Sequence, residues 1–157
     1  MKRVIIIVSF SLLIVLIIVA VFIGYRYMSV AHMTDEELVE FYNDNHQIIN
    51  KIKNELLSSG YDDVWIYWES NKIICRENGE DLNIPSIYDE LVEYFEQTNK
   101  RLSPCIQFIN KSYERLPAVE FSFFARRVTK GIVYSKVSVS KNKIDDDWYT
   151  FVYAMPH

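Results

Sequence analysis

The sequence predicts an α+β domain behind an N-terminal transmembrane helix. Residues 4–24 form one uncharged apolar run. Two stretches, 34–58 and 85–102, repeat apolar residues at helical spacing. The remaining stretches alternate, or are rich in β-branched and aromatic residues, with turn residues between them. The expected architecture is an antiparallel sheet of about six strands with two helices packed on one face. The expected divisions are a cytoplasmic N-terminus at 1–3, a transmembrane helix at 4–24, a connector at 25–33 and an extracytoplasmic α+β domain at 34–157.

The run VIIIVSFSLLIVLIIVAVFIG holds 21 residues, with Ser9 and Ser11 its hydroxyls. At about 1.5 Å per residue a helix of that length spans roughly 30 Å, the thickness of a bilayer core. Hydrocarbon offers the backbone no partners, so a spanning segment must be helical. A secretory leader is the rival, with a small-x-small site at Ser29-Val30-Ala31 and cleavage after Ala31. Leader apolar regions run to about 15 residues, and this one is longer. Lys2 and Arg3 precede the run; Arg26 alone follows before Asp35, Glu36 and Glu37. That asymmetry keeps the N-terminus cytoplasmic and sends the rest of the chain outside. Localisation at the cell membrane by a single pass follows.

Thr34 with Glu37 three residues on is a capping-box start. Leu38, Phe41, Tyr42, Ile48, Ile49, Ile52 and Leu56 carry the helical period towards Ser58, with Asn45 a polar intruder, and Gly60 is the stop. Val64–Glu69 and Lys72–Glu77 read as a hairpin turning at Ser70-Asn71. Pro85 opens a second helix through Ile87, Leu91, Tyr94, Phe95 and Leu102, ended by Pro104. Strands follow at 105–109, 118–125, 131–140 and 148–153. Strands in succession on short loops form an antiparallel meander.

Residues 32–157 carry 14 Lys and Arg against 21 Asp and Glu, a formal charge of −7. That disfavours nucleic acid as a partner and favours a basic one. The four glycines, Gly24, Gly60, Gly79 and Gly131, are scattered, so there is no phosphate-cradling loop and no nucleophile elbow. His32, His46 and His157 share no metal-ligand spacing. Asp145-Asp146-Asp147 are contiguous and lack the spacers and glycine of a calcium loop, so they read as a turn entering the strand of Trp148. Glu77, Glu80 and Asp81 around Gly79 read as an exposed acidic turn. No catalytic residue, metal or cofactor is expected. Cys75 and Cys105 are compatible with one disulfide outside the cell or with two buried thiols.

Binding residues stand out more than catalytic ones. VWIYWE places Val64, Ile66 and Trp68 on one face of a strand and Trp65 and Tyr67 on the other, apolar on both. A strand covered on one side alternates apolar with polar. Trp65, Tyr67 and Trp68 are therefore candidate partner contacts. Phe123 and Phe124 repeat the pattern, and Arg126 and Arg127, with Lys130, form a basic knot that could meet an acidic partner or lipid head groups.

Gly131-Ile132-Val133-Tyr134-Ser135, followed by Asp147-Trp148-Tyr149, resembles the ending of many small bacterial membrane-anchored proteins, with a G-[apolar]-x-Y-S strand and a final W-Y strand. The likeness covers roughly 20 residues and implies no activity; physically it places Tyr134 and Trp148 across two adjacent strands. The layout, one anchor and a compact acidic outer domain, is similar to that of membrane-bound immunity proteins against secreted toxins. The leading expectation is a single-pass, membrane-anchored, extracytoplasmic protein-binding domain without enzymatic activity, an immunity protein in its concrete form. The alternatives are a structural subunit of an envelope or secretion complex, and an envelope hydrolase using His46 with Cys75 or Cys105.

Overall fold

The structure is a computed structural model that describes residues 12–21, 33–69, 72–98, 104–112, 116–125, 128–137 and 142–154. Residues 12–21 are helical (α1) and lie within the apolar run. The rest of the 4–24 span, the 1–3 terminus and most of the 25–33 connector fall outside the described residues. Among the described residues no helix is long and apolar enough to cross a membrane.

The helix α2 spans Asp35–Ser58. The backbone N–H of Glu37 donates to Thr34 Oγ1 at 3.2 Å, and the Thr34 N–H donates to Glu37 Oε2 at 2.8 Å. This reciprocal box satisfies two amides that a helix start otherwise leaves without partners. Leu38, Tyr42, Ile49, Ile52 and Leu56 are its buried stripe. The Asn45 amide donates back to the Phe41 carbonyl at 2.9 Å, so the polar intruder bonds within its own helix. Gly60, at φ +78°, takes the left-handed backbone just past the helix end.

The hairpin β1 (Asp63–Glu69) and β2 (Lys72–Glu77) pairs Val64 with Glu77 through to Glu69 with Lys72. Its Ser70-Asn71 turn lies outside the described residues. A second, smaller hairpin adds β3 (Glu80–Asp81), turning at Asn78 and Gly79, φ 50° and 89°. Two consecutive positive φ values are the requirement of the tight hairpin turn that Asn-Gly favours. Pro85–Ile87 form a short 3-10 turn that feeds α3, Tyr88–Thr98. The expected continuation to Leu102 lies outside the described residues.

Five strands complete the sheet: β4 (Pro104–Ser112), β5 (Leu116–Ala125), β6 (Val128–Ser135), β7 (Lys143–Asp145) and β8 (Trp148–Ala154). The order is β3-β2-β1-β4-β5-β6-β8-β7, antiparallel throughout. The sheet therefore has eight strands, not six. The two extra strands, β3 and β7, are the edges, two and three residues long, too short to show a period in the sequence.

Both helices pack on one face. Leu38, Ile49, Ile52, Leu56, Leu91, Tyr94 and Phe95 meet Val64, Ile66, Ile106, Phe121, Phe123 and Ile132 in one core. Tyr94 is its aromatic hub, with ring centroids 5.3 Å from Phe95, 5.5 Å from Phe121 and 6.2 Å from Phe41. Trp148 sits 5.6 Å from Tyr134, its cross-strand partner, and 5.2 Å from Tyr42 of α2.

Gly131 explains how the sheet can be so tightly built near its middle. A Cβ there would run into the Phe121 carbonyl oxygen and stand 2.9 Å from Ser122 Cα. No residue but glycine lets β5 approach β6 so closely.

Candidate functional site

The sheet face opposite the helices is defined by the register. One cross-strand row runs Arg76, Trp65, Gln107, Glu120, Val133, Tyr149. The next runs Ile74, Tyr67, Cys105, Ser122, Gly131, Phe151. Phe124, Thr129 and Tyr153 form a third. A separate apolar cluster of Ala118, Val133, Tyr149 and Phe151 lies here, made of sheet residues alone. Among the described residues no helix joins it.

Trp65, Phe124 and Tyr153 are exposed to 37%, 39% and 45%, large values for rings this size. Tyr67 is half-buried, with the Arg76 guanidinium 5.9 Å from its ring centre. Trp68 is not on this face. Its side chain follows Val64 and Ile66 towards the helices, and its ring lies 6.1 Å from that of Phe95. The two-residue strand period dictates this, because Trp68 stands two residues from Ile66. Arg126 and Arg127 lie outside the described residues.

The two thiols are free and cannot be joined in this fold. Cys75 pairs with Ile66 and Cys105 with Tyr67, consecutive residues of β1, so the thiols point to opposite faces. They also stand on the two strands flanking β1, about 9.6 Å apart at two strand spacings, beyond the roughly 7 Å that a disulfide spans. Burial pushes the Cys75 thiol up to about 11. Burial, with Glu120 adding to it, pushes Cys105 up to about 12. His46 is on the exposed side of α2, its Nδ1–H bonded to the Asn43 carbonyl at 2.9 Å.

The three aspartates form the β7–β8 turn. Asp145 Oδ1 accepts from the Asp146 N–H at 2.8 Å, and the Asp147 carbonyl accepts from the Ser135 N–H at 2.8 Å. Among the described residues no cluster of His, Cys, Asp or Glu is placed to hold a metal ion.

Glu120 is the feature that sequence reasoning missed. It lies mid-strand on the face opposite the helices and is only 7% exposed. Its neighbours in the row are Gln107 and Val133, with Trp65 and Tyr149 one strand further out on either side. The Tyr153 hydroxyl donates to Glu120 Oε1 at 3.4 Å. Burial raises the Glu120 carboxyl above its ordinary value, and the Tyr153 hydrogen bond partly opposes that. The signal was the alternation in AVEFSFFA, where Val119, Phe121 and Phe123 take the core face and leave Glu120, Ser122 and Phe124 opposite. A charged residue at such a position usually reaches water, so its burial was not readable.

Comparison of the chain with protein-family models, with curated proteins and with solved structures gave no match.

Proposed function

We propose that the chain is a single-pass, membrane-anchored protein whose 34–157 domain stands outside the membrane and binds a protein partner, without catalysing a reaction. An immunity protein that captures a secreted toxin is the concrete form of this reading. The observation that carries it is the sheet face opposite the helices, where Trp65, Phe124 and Tyr153 are exposed at the margins of a buried centre that holds a carboxylate. Tyrosine and tryptophan in such positions are the residues that most often anchor protein interfaces. The anchor rests on the uncharged 4–24 run, of which 12–21 is helical. The outward orientation rests on the Lys2 and Arg3 flank.

A photo-crosslinking residue at Trp65 or Phe124 tests the reading in intact cells. The expected result is a discrete crosslinked protein from either position and none from Asp44, on the exposed side of α2. Equal crosslinking from all three would sink the assignment of the face. Topology has its own test: Asp44→Cys is expected to react with a membrane-impermeant maleimide before lysis, and reaction only after lysis would place the domain inside.

A further inference from the structure

We infer that Glu120 is the recognition point for a cationic side chain, a lysine or arginine carried by an extended protein segment that lies across the sheet face opposite the helices. This inference rests on the docking role proposed for that face and names the chemistry of its partner.

A carboxylate so deeply buried normally has a cation or several hydrogen bonds as partners. The ion pairs among the described residues are Lys51 with Glu90, and Arg76 with Asp81 at the far end of the Glu120 row; neither includes Glu120. Among the described residues Glu120 has instead one hydrogen-bond partner, the Tyr153 hydroxyl, and 3.4 Å is long for an O–H···O bond. Its desolvation is therefore only weakly offset within the domain.

The register shows how that contact could give way to a ligand. Tyr153 is opposite Thr129, two residues from Gly131; Gly131 is opposite Ser122, two residues from Glu120. To reach Glu120 the phenol must cross β6 on the face where Gly131 has no side chain. Its ring is 45% exposed and stacks at 4.8 Å on Phe151. Rotation of an outer ring such as this leaves the helix-covered core untouched, and it would uncover a carboxylate bordered by Tyr149 and Phe151.

Charge and ring chemistry together select the occupant. A desolvated carboxylate forms its strongest bonds with a guanidinium or ammonium group. Aromatic faces around it add cation–π attraction. The 32–157 segment carries a formal −7, so a basic segment is also drawn to it from a distance.

The test uses the full chain in phosphatidylcholine nanodiscs with isotope-labelled tryptophan, titrated with a hexa-arginine peptide. The Trp65 indole signal is expected to shift saturably while those of Trp68 and Trp148, on the other face, stay. Glu120→Gln is expected to weaken the peptide about tenfold or more, whereas Glu40→Gln on the exposed side of α2 changes it less than about twofold. The melting transition of Glu120→Gln, expected at or above that of the wild type, excludes unfolding as the cause. Tyr153→Phe keeps the ring, removes the competing donor and is expected to tighten binding. Binding by Glu120→Gln equal to wild type would overturn the role of Glu120 while leaving the face a docking surface. Equal losses in Glu40→Gln would reduce the effect to diffuse charge attraction and overturn it too. No shift of Trp65 in any variant would overturn both the cation site and the docking face.

Discussion

The two faces of one sheet are buried by different means. On the helix side, Phe121 and Ile106 are covered by side chains that arrive from α2 and α3, elements distant in sequence. On the other side, Val133 and Ala118 cluster with Tyr149 and Phe151 of the same sheet. The first kind of burial requires complementarity between layers, and a lost methylene leaves a cavity that neither layer can fill. The second is a cluster of sheet residues in which Tyr149 and Phe151 are themselves only 8% and 5% exposed. The same face also carries Trp65, Phe124 and Tyr153, rings that stay partly in water.

Substitutions can break or sharpen that contrast. Phe121→Ala is expected to cost the most, about 3–5 kcal/mol in chemical denaturation, because it empties the centre of the covered face. Gly131→Ala should follow, at about 3 kcal/mol, since the added methyl meets backbone rather than a movable side chain. The contrast fails if either falls below about 1 kcal/mol.

Glu120→Gln is expected to reverse the sign. Burial raises the folded-state pKa of Glu120 above its unfolded value. The stabilising contribution of its protonated form is then complete below the unfolded carboxylate pKa, and it is lost as pH rises through the folded one. Wild type and Glu120→Gln should therefore melt together in acid and separate above the carboxylate range, the amide variant melting higher by a few degrees. A lower melting temperature for the variant at neutral pH would show that the carboxylate is satisfied within the fold. Phe124→Ala is expected to shift stability least, by under about 0.5 kcal/mol, while reducing partner crosslinking from Trp65. A larger loss would mean that the outer rings form a core of their own.

Much of the domain was legible because its signals are local. Thr34 and Glu37 announce α2 through two hydrogen bonds made within one turn. Alternation separated Val64 and Ile66 from Trp65 and Tyr67 correctly, since a strand has only two sides. The same rule already placed Trp68 with Ile66, so its candidacy as a contact conflicted with the pattern that singled it out. The β3 hairpin had a signal too: Asn78-Gly79 is a strong short-range turn pair, but a two-residue strand after it gives no period to read. Of the two alternatives open for the thiols, the geometry leaves the unbridged one, and for a non-local reason. Cys75 and Cys105 sit on different sides of β1 because α3 carries the chain over the sheet between them, and nothing near either residue records that crossing. The burial of Glu120 is equally non-local, being set by β6, β8 and the reach of Tyr153.

The short edge strands have a consequence for how the domain meets others of its kind. Adding a strand from another chain needs a row of unpaired N–H and C=O groups long enough to template it. At one end β3 offers two residues, both carboxylates, one of them paired to Arg76. At the other, β7 offers three, between Lys143 and Asp145. The edge strands themselves thus give other copies little to zip along: β3 caps Arg76 and Glu77 of β2, β7 caps Trp148 and Tyr149 of β8, and any longer rail lies on the remainder of those two strands.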